Sequence, residues 1–170
     1  MMRNLPPEEP IVRQKANDLL SWLETLPKDS QNYGLVHCDL HANNILVTKD
    51  GSVTAFDFDD SCYHWFAYDI SLIVYAVIIR YKRLEKKNES IDDHVARFID
   101  GFLKGYQEVT IIENWWLKAM PKLISYRRLL DYNFLHQHHD WKTLDSKLKK
   151  IWLGMKEEIE TDDPLINLPF

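Results

Sequence analysis

The stretch from Ile70 to Ile79 constrains the fold most, because it is apolar on nearly every side and is interrupted only by Ser71. A surface helix keeps one polar face, whereas a helix that is apolar all round has to be enclosed by other elements. The stretch is also well short of the ~20 residues that a helix needs to cross a bilayer. We therefore expect a buried helix inside a soluble, globular fold.

Apolar residues at helical spacing recur along much of the remaining chain. Pro10 is well placed to open a helix, Pro27 ends the same pattern, and Ser90 with Asp93 three residues on resembles a capping box. The predicted helices cover about residues 11–26, roughly 91–108, the stretch from Ile111 to His139 with a kink or break at Pro121, and a last segment outlined by Leu144, Leu148, Ile151, Trp152, Met155 and Ile159.

A short β-hairpin is predicted between the first helix and the apolar stretch. Its strands are Ile45–Val47 and Val53–Phe56, and Lys49-Asp50-Gly51 supplies the turn. The run Leu35-Val36 precedes a loop that leads into this hairpin. With 170 residues and 45% hydrophobic content, we expect one domain over residues 1–170 with an α+β, mostly α-helical fold.

Charge and cysteine content exclude several classes of protein. The net charge of -5 is spread over mixed acidic and basic residues, so no basic stripe predicts a nucleic-acid partner. Cys38 and Cys62 are too few for a disulfide framework and are not spaced as a zinc clip, which favours reduced thiols. The N-terminus has neither a basic segment nor an apolar stretch typical of a secretory signal. We expect a cytoplasmic protein without a membrane partner.

The residues that can carry chemistry flank the predicted hairpin. His37 is followed two residues later by Asp39, and Asn44 follows Asp39 by five positions. A second acid, Asp57, lies in Phe56-Asp57-Phe58 where the hairpin closes. This spacing matches a kinase catalytic loop and its metal-binding Asp. Phosphoryl transfer needs a carboxylate to accept the attacking hydroxyl's proton and hard oxygen ligands to hold Mg²⁺ against the phosphates.

These segments, together with Tyr68-Asp69-Ile70, resemble the aminoglycoside phosphotransferase and choline kinase superfamily over about residues 10–80. The resemblance implies the C-terminal lobe of a protein-kinase-like fold, with the metal-binding Asp on a small hairpin, and transfer of phosphate from ATP to a hydroxyl of a small molecule. It implies these roles: Asp39 as catalytic base, Asn44 and Asp57 as ligands of Mg²⁺ and of the nucleotide, and His37, His41 and Asp69 as supports of the catalytic loop.

Two departures from the family pattern stand out. Cys38 occupies a position where the family usually has Gly. Before residue 30 the sequence contains no Gly-rich phosphate loop, no strand carrying a Lys for the phosphates and no helix carrying its Glu partner. We therefore expect a catalytic lobe that lacks its N-terminal ATP-binding lobe, as in a truncated gene, a fragment or a separately encoded lobe.

Two other functions stay open at this point. The lobe could be a catalytically silent binding or assembly module, because the surface left by the absent lobe could be covered by a second copy or by a partner lobe. Alternatively, His37, Asp39, His41 and Asp57 could be the ligands of a metallohydrolase.

Acids and aromatic residues near these motifs allow two interpretations each. Asp59 and Asp60 could bind a second cation or an amino group of the substrate, or could only tune the field around Asp57. Several aromatic side chains could line a substrate pocket, although helical spacing favours the core. These aromatic residues are Trp65, Phe66, Tyr126, Tyr132 and Trp141.

Overall fold

The computed structural model describes residues 5–84, 88–162 and 164–168. In chain order its elements are α1 Pro10–Glu24, β1 Tyr33–Val36, β2 Ile45–Val47, β3 Val53–Ala55, β4 Cys62–Trp65, α2 Phe66–Lys82, α3 Ile91–Gln107, α4 Asn114–His138 and α5 Ser146–Thr161. In the described ranges the strands form two antiparallel pairs, β1 with β4 and β2 with β3. The fold is therefore mostly helical with small antiparallel sheets, as the sequence predicts.

The local signals in the sequence place most elements correctly. Helices α1, α3 and α5 begin and end within about two residues of their predicted bounds, which is the ordinary uncertainty of helix ends. At the start of α3, the Ser90 hydroxyl accepts a hydrogen bond from the Asp93 amide at 3.1 Å, so the predicted cap is confirmed. The hairpin is confirmed as well, with Ile45 opposite Ala55 and Val47 opposite Val53.

Helix α4 differs from the prediction at Pro121. A proline inside a helix removes one ladder hydrogen bond and crowds the preceding turn, so the sequence predicts a kink or break there. The structure has one helix from Asn114 to His138 that continues through Pro121, so the break is wrong, while the kink stays a prediction. The neighbouring Met120 and Leu123 are fully buried, and their packing holds the helix together across this position.

The pairing of β1 with β4 is absent from the sequence prediction. Its register puts Tyr33 opposite Trp65 and Val36 opposite Cys62. Each strand has four residues and finds its partner far along the chain, so no local alternation or turn signal marks the pair. Gly34 leaves room for the Phe66 ring, because a Cβ at this position would come within 2.8 Å of that ring. This pair fixes where the chain enters the predicted catalytic loop.

The chain divides into two compact units. One contains Met1–Leu26 and Ser125–Leu165, and the other contains Pro27–Ile124 and Ile166–Phe170. All four strands and the candidate site residues belong to the second unit. The single domain over residues 1–170 stays a prediction.

In the unit that carries the strands, α2 is buried on most of its surface. The sequence prediction of a buried helix is confirmed, because Ile70, Leu72, Val74 and Ile78 are almost completely enclosed. The single polar interruption, Ser71, is buried too, and its hydroxyl donates to the Ala67 carbonyl at 2.6 Å. The helix thus satisfies this buried hydroxyl internally.

The other unit has its own core, in which α1, α4 and α5 contribute side chains. Tyr132 is fully buried and donates a hydrogen bond of 2.7 Å to Glu9, while the Trp152 indole donates to the Tyr132 hydroxyl at 3.1 Å. Lys156 contacts the same Glu9 carboxylate at 3.1 Å. The apolar part of this core consists of Leu5, Val12, Ala16, Leu129, Met155 and Ile159.

The aromatic residues that the sequence assigns to the core differ in how deeply they are buried. Trp65, Tyr126 and Tyr132 are buried, which confirms that interpretation for them, and Phe66 is half-buried. Trp141 is 55% exposed, so the core prediction is wrong for this residue. Trp141 lies between α4 and α5 and not on either helix.

No helix in residues 5–84, 88–162 and 164–168 is long and apolar enough to span a bilayer.

His64 on β4 makes stability depend on pH. Burial, with a smaller effect from the charge of Lys28, lowers the pKa of His64 from 6.5 to about 4. Between these values the unfolded chain binds a proton that the folded chain excludes, so stability falls as pH decreases from 6.5 to about 4. We expect this residue to account for a loss of up to about 3 kcal/mol in the free energy of unfolding.

Urea unfolding of the wild type and of His64→Gln across this pH range measures the contribution. The variant, which cannot titrate at this position, should lose less stability on acidification. Parallel pH profiles for the two proteins would contradict the assignment to His64.

Candidate active site

The loop between β1 and β2 is held at its C-terminal end by the hairpin. The Phe56 amide donates to the Asn44 carbonyl at 3.1 Å, which extends the β2–β3 ladder one step beyond the Ile45–Ala55 pair. Asn44 therefore lies beside Phe56, and Asp57 is the next residue along the chain. The hairpin register thus brings Asn44 and Asp57 to the same end of this sheet.

The other end of the loop is held by Asp69, in the first turn of α2. One carboxylate oxygen accepts a hydrogen bond from the Cys38 amide at 2.9 Å, and the other accepts from the His37 amide at 3.3 Å. An acid in the first turn of a helix is also favoured by the helix dipole. A single side chain therefore satisfies two successive backbone donors and fixes the path of the loop.

Burial and, to a smaller extent, the Asp69 charge raise the pKa of Tyr106 on α3.

Cys38 adopts a backbone conformation that a cysteine rarely takes. Its φ of 63° lies in the left-handed region, where a side chain other than glycine's costs roughly 1–2 kcal/mol. This explains in physical terms why glycine suits the position in the family that the sequence resembles. The hydrogen bond from the Cys38 amide to Asp69 helps to hold the residue in this conformation.

His37 is buried and holds the loop to the segment that follows β3. Its Nε2 lies 3.0 Å from the Phe56 carbonyl oxygen, so Nε2 carries the proton and donates. The imidazole also packs on the Phe58 ring with centroids 4.6 Å apart. Neither Phe56 nor Phe58 was recognised as a support of the loop. Their sequence signal was the symmetric Phe-Asp-Phe around Asp57.

Asp39 is oriented by Asn44. The Asn44 side-chain amide donates to the Asp39 carbonyl at 3.0 Å and to its carboxylate at 3.2 Å. His41 lies on the same side, with Nε2 3.4 Å from the Asp39 carboxylate, while its Nδ1 accepts from the Asn43 amide at 3.2 Å. Because Nδ1 accepts, the proton of a neutral His41 ring is on Nε2, facing Asp39. Asn44 is buried, whereas the Asp39 side chain is 25% exposed.

Asp57 lies two residues beyond the end of β3 and is exposed, with a left-handed φ of 66°. Asp59 and Asp60 follow it in an exposed turn, which is closed by the Ser61 amide donating to the Phe58 carbonyl at 3.0 Å. Direct contacts thus join Asp39 to His41 and Asn44. The three acids Asp57, Asp59 and Asp60 lie in the exposed segment that follows the hairpin.

The structure also places Cys62, which the sequence analysis treats only as a reduced thiol, next to the loop. Its Sγ is 3.1 Å from the Sγ of Cys38, and neither cysteine is in a disulfide. Burial raises the pKa of the Cys38 thiol far above its ordinary value, and the hydrogen bond with Cys62 adds to this effect. The unpredicted β1–β4 pair, in which Val36 is opposite Cys62, brings these two distant positions together.

The metallohydrolase alternative receives no support from this geometry. Within the described residues no group of three or more His, Cys, Asp or Glu side chains is arranged to hold a metal ion. His37 points its Nε2 at a backbone carbonyl, and the Nδ1 of His41 accepts a backbone hydrogen bond. These two imidazoles support the loop and do not converge on one point.

A loop with a central Asp, held by the acid of a following helix and by an antiparallel hairpin, is typical of kinase-like phosphotransferases. The sequence pattern of the APH family, described as the phosphotransferase enzyme family, matches residues 2–116. That match covers more than half of the chain. The chain therefore belongs to this phosphotransferase family.

Individual relatives agree with the family. The chain is 37% identical to the amicoumacin kinase of Bacillus subtilis (strain 168), a match that covers 99% of this chain and 49% of that protein. A solved structure of amicoumacin kinase hAmiN in complex with AMP-PNP, Ca²⁺ and Ami is similar with a TM-score of 0.87 and 33% identity, over 97% of this chain and 48% of the other.

A solved microcompartment-associated aminopropanol kinase has a TM-score of 0.66 and 22% identity, over 92% of this chain and 44% of that chain. At this level of identity the likeness shows a common fold. The chain spans about half the length of the relatives that it matches.

The role of Asp69 can be tested by Asp69→Asn, which keeps the size of the side chain but removes its charge. We expect faster amide exchange at His37 and Cys38 and a loss of about 2 kcal/mol in the free energy of unfolding, because two backbone donors lose a charged acceptor. Exchange is followed by NMR, with Asp60→Asn as the control at an exposed turn. Equal protection of the two amides in the wild type and Asp69→Asn would contradict the assignment.

Proposed function

We propose that this chain is the catalytic lobe of an ATP-dependent phosphotransferase, which transfers the γ-phosphoryl group to a hydroxyl of a small molecule. One observation carries the proposal. The Asn44 side chain orients Asp39, while its backbone carbonyl binds the Phe56 amide and so sets the position of Asp57. A base and two oxygen ligands are thereby assembled around one buried amide.

Asp39 acts as the catalytic base in this proposal. A base must lie where an incoming hydroxyl can reach it, and the Asp39 side chain is partly exposed although Cys38 and Asn44 beside it are buried. Asn44 fixes the carboxylate in one orientation, and His41 lies beside it. The carboxylate accepts the proton of the acceptor hydroxyl as the new oxygen–phosphorus bond forms.

Asn44 and Asp57 fit a hard divalent cation such as Mg²⁺. The Asn44 amide nitrogen donates to Asp39, which leaves its oxygen as the atom that can bind a cation. Asp57 is an exposed carboxylate one residue beyond the Asn44–Phe56 hydrogen bond. Mg²⁺ favours one or two such oxygen ligands combined with substrate phosphates and water. When bound, the ion neutralises charge on the phosphates.

ATP as the phosphoryl donor is supported by the relative that was solved with AMP-PNP, an ATP analogue, and Ca²⁺. Kinase-like enzymes also bind the phosphates through a Gly-rich loop and through a Lys on a β-strand. The 170-residue sequence contains neither this loop nor a strand with such a Lys. We infer that a further lobe, in a longer protein or another chain, supplies these groups. The catalytic lobe then contributes the base and the metal ligands.

The acceptor in this proposal is a small hydroxyl-bearing molecule of the amicoumacin type, by analogy with the kinases of that name. Asp59 and Asp60 are exposed next to Asp57 and give this end of the site negative charge. That charge suits a cationic group of the acceptor, such as an amine.

The proposed metal ligand is tested by calorimetry, with ATP and Mg²⁺ titrated into the chain and into Asp57→Ala. We expect at least about tenfold weaker binding in the variant, or about 1.4 kcal/mol, because one of two protein ligands of the ion is removed. Asp18→Ala removes another exposed acid, on α1, and serves as the control. Equal affinity of Asp57→Ala and the control would show that Asp57 does not hold the ion.

The proposed base is tested by Asp39→Asn, which keeps the shape of the side chain and removes its basicity. With the further lobe present, transfer of the ATP γ-phosphoryl group to amicoumacin should fall by about 10²–10⁴-fold, the range usual for loss of a general base. Nucleotide affinity, measured in parallel, should change little. A variant with full transfer activity would end the assignment of Asp39.

A second candidate is a catalytically silent module that binds a partner lobe or another copy of itself. It is favoured by large apolar side chains that are more than half exposed on the strands, namely Leu35, Leu46, Val47, Val53 and Tyr63. Sedimentation combined with an ATPase assay separates the candidates. A strictly monomeric chain with steady ATP turnover would exclude the silent module.

A further inference from the structure

The cysteine pair Cys38–Cys62 is not used by the proposed chemistry, although it directly adjoins the proposed base. Cys38 precedes Asp39 in the loop, and Cys62 opens β4. Their sulfur atoms are 3.1 Å apart, about 1 Å longer than a disulfide bond of about 2.0 Å. The two thiols are therefore already close enough to be joined by a small displacement.

We propose that Cys38 and Cys62 form a reversible dithiol–disulfide pair that ties the catalytic loop to β4. The two sulfurs differ in access, because Cys38 is buried and Cys62 is partly exposed. A small-molecule disulfide such as oxidised glutathione therefore meets Cys62 first. The backbone at Cys62 is fixed, since it pairs with Val36 in the β1–β4 ladder.

The reaction is two successive thiol–disulfide exchanges. The Cys62 sulfur, after losing its proton, attacks the glutathione disulfide, whose S–S bond breaks and releases one reduced glutathione. The Cys38 sulfur then attacks the Cys62 sulfur of the mixed disulfide, loses its proton and displaces the second glutathione. The two protein thiols are oxidised by two electrons, and one glutathione disulfide is reduced to two thiols.

Formation of the disulfide displaces the loop more than it displaces β4. Cys62 belongs to a paired strand, whereas Cys38 lies in a left-handed conformation that depends on the hydrogen bond from its amide to Asp69. The displacement of about 1 Å needed for a disulfide therefore falls mainly on Cys38 and on Asp39, which follows it. A shift of this size at a catalytic group is enough to lower a rate by about 10²-fold.

Peptide mapping tests the bond without any assay of activity. The chain is equilibrated with oxidised glutathione, remaining thiols are blocked with iodoacetamide, and the unreduced protein is digested with trypsin. We expect the peptides 29–49 and 50–80 to be linked, and to separate after dithiothreitol. The proposal would be overturned if both cysteines were recovered in alkylated form, or if each were recovered as a separate mixed disulfide with glutathione. Cys62→Ser is the control and should give peptide 29–49 without its partner.

The effect on the loop rests on the proposed function and has its own measurement. With the further lobe present, oxidised protein should transfer phosphate at least tenfold more slowly than reduced protein, with recovery in dithiothreitol. Cys62→Ser should be unaffected by glutathione disulfide. Linked peptides with an unchanged rate would overturn the effect on Asp39. Absence of transfer in the reduced protein, with the further lobe present, counts against the proposed function, whereas the linked peptides decide the cysteine pair independently.

Discussion

The two hydrogen bonds from the His37 and Cys38 amides to Asp69 are the interaction on which the site depends. They join the end of β1 to the first turn of α2, two elements that are separated in sequence by both hairpin strands and by β4. A carboxylate with two backbone donors is a strong and directional contact. It allows Cys38 to remain in a left-handed conformation, and this conformation directs the chain at Asp39 toward Asn44.

The hairpin provides the second constraint. Its ladder continues through Asn44 and Phe56, so that the residues proposed to hold the metal are set by backbone hydrogen bonds and not by their own side chains. His37 connects the two constraints through the Phe56 carbonyl and the Phe58 ring. The loop is therefore held on both sides, while the Asp39 carboxylate stays partly exposed and the Asp57 carboxylate exposed, so that both can meet a substrate. Such rigid support of a reactive group is what phosphoryl transfer needs from a protein.

Local patterns in the sequence predicted the helices, the hairpin and the Asp39–Asn44–Asp57 spacing, because each of these depends on neighbours a few residues away. The β1–β4 pair was missed, since two strands of four residues carry no local signal of their partner. The contact between Cys38 and Cys62 depends on that pair and was missed with it. Continuity of α4 through Pro121 likewise depends on the burial of Met120 and Leu123, which helical propensity does not report.

The measurement that tests the central claim most directly is NMR of the chain with Mn²⁺ in place of Mg²⁺, recorded with and without nucleotide. A paramagnetic ion broadens the amide signals of the residues that surround it. The account predicts nucleotide-dependent broadening centred on Asn44, Asp57 and Asp39, because Asn44 contacts Asp39 and pairs with Phe56, the residue before Asp57. Broadening centred instead on the acidic residues of α5, with the signals of the loop unaffected, would contradict it.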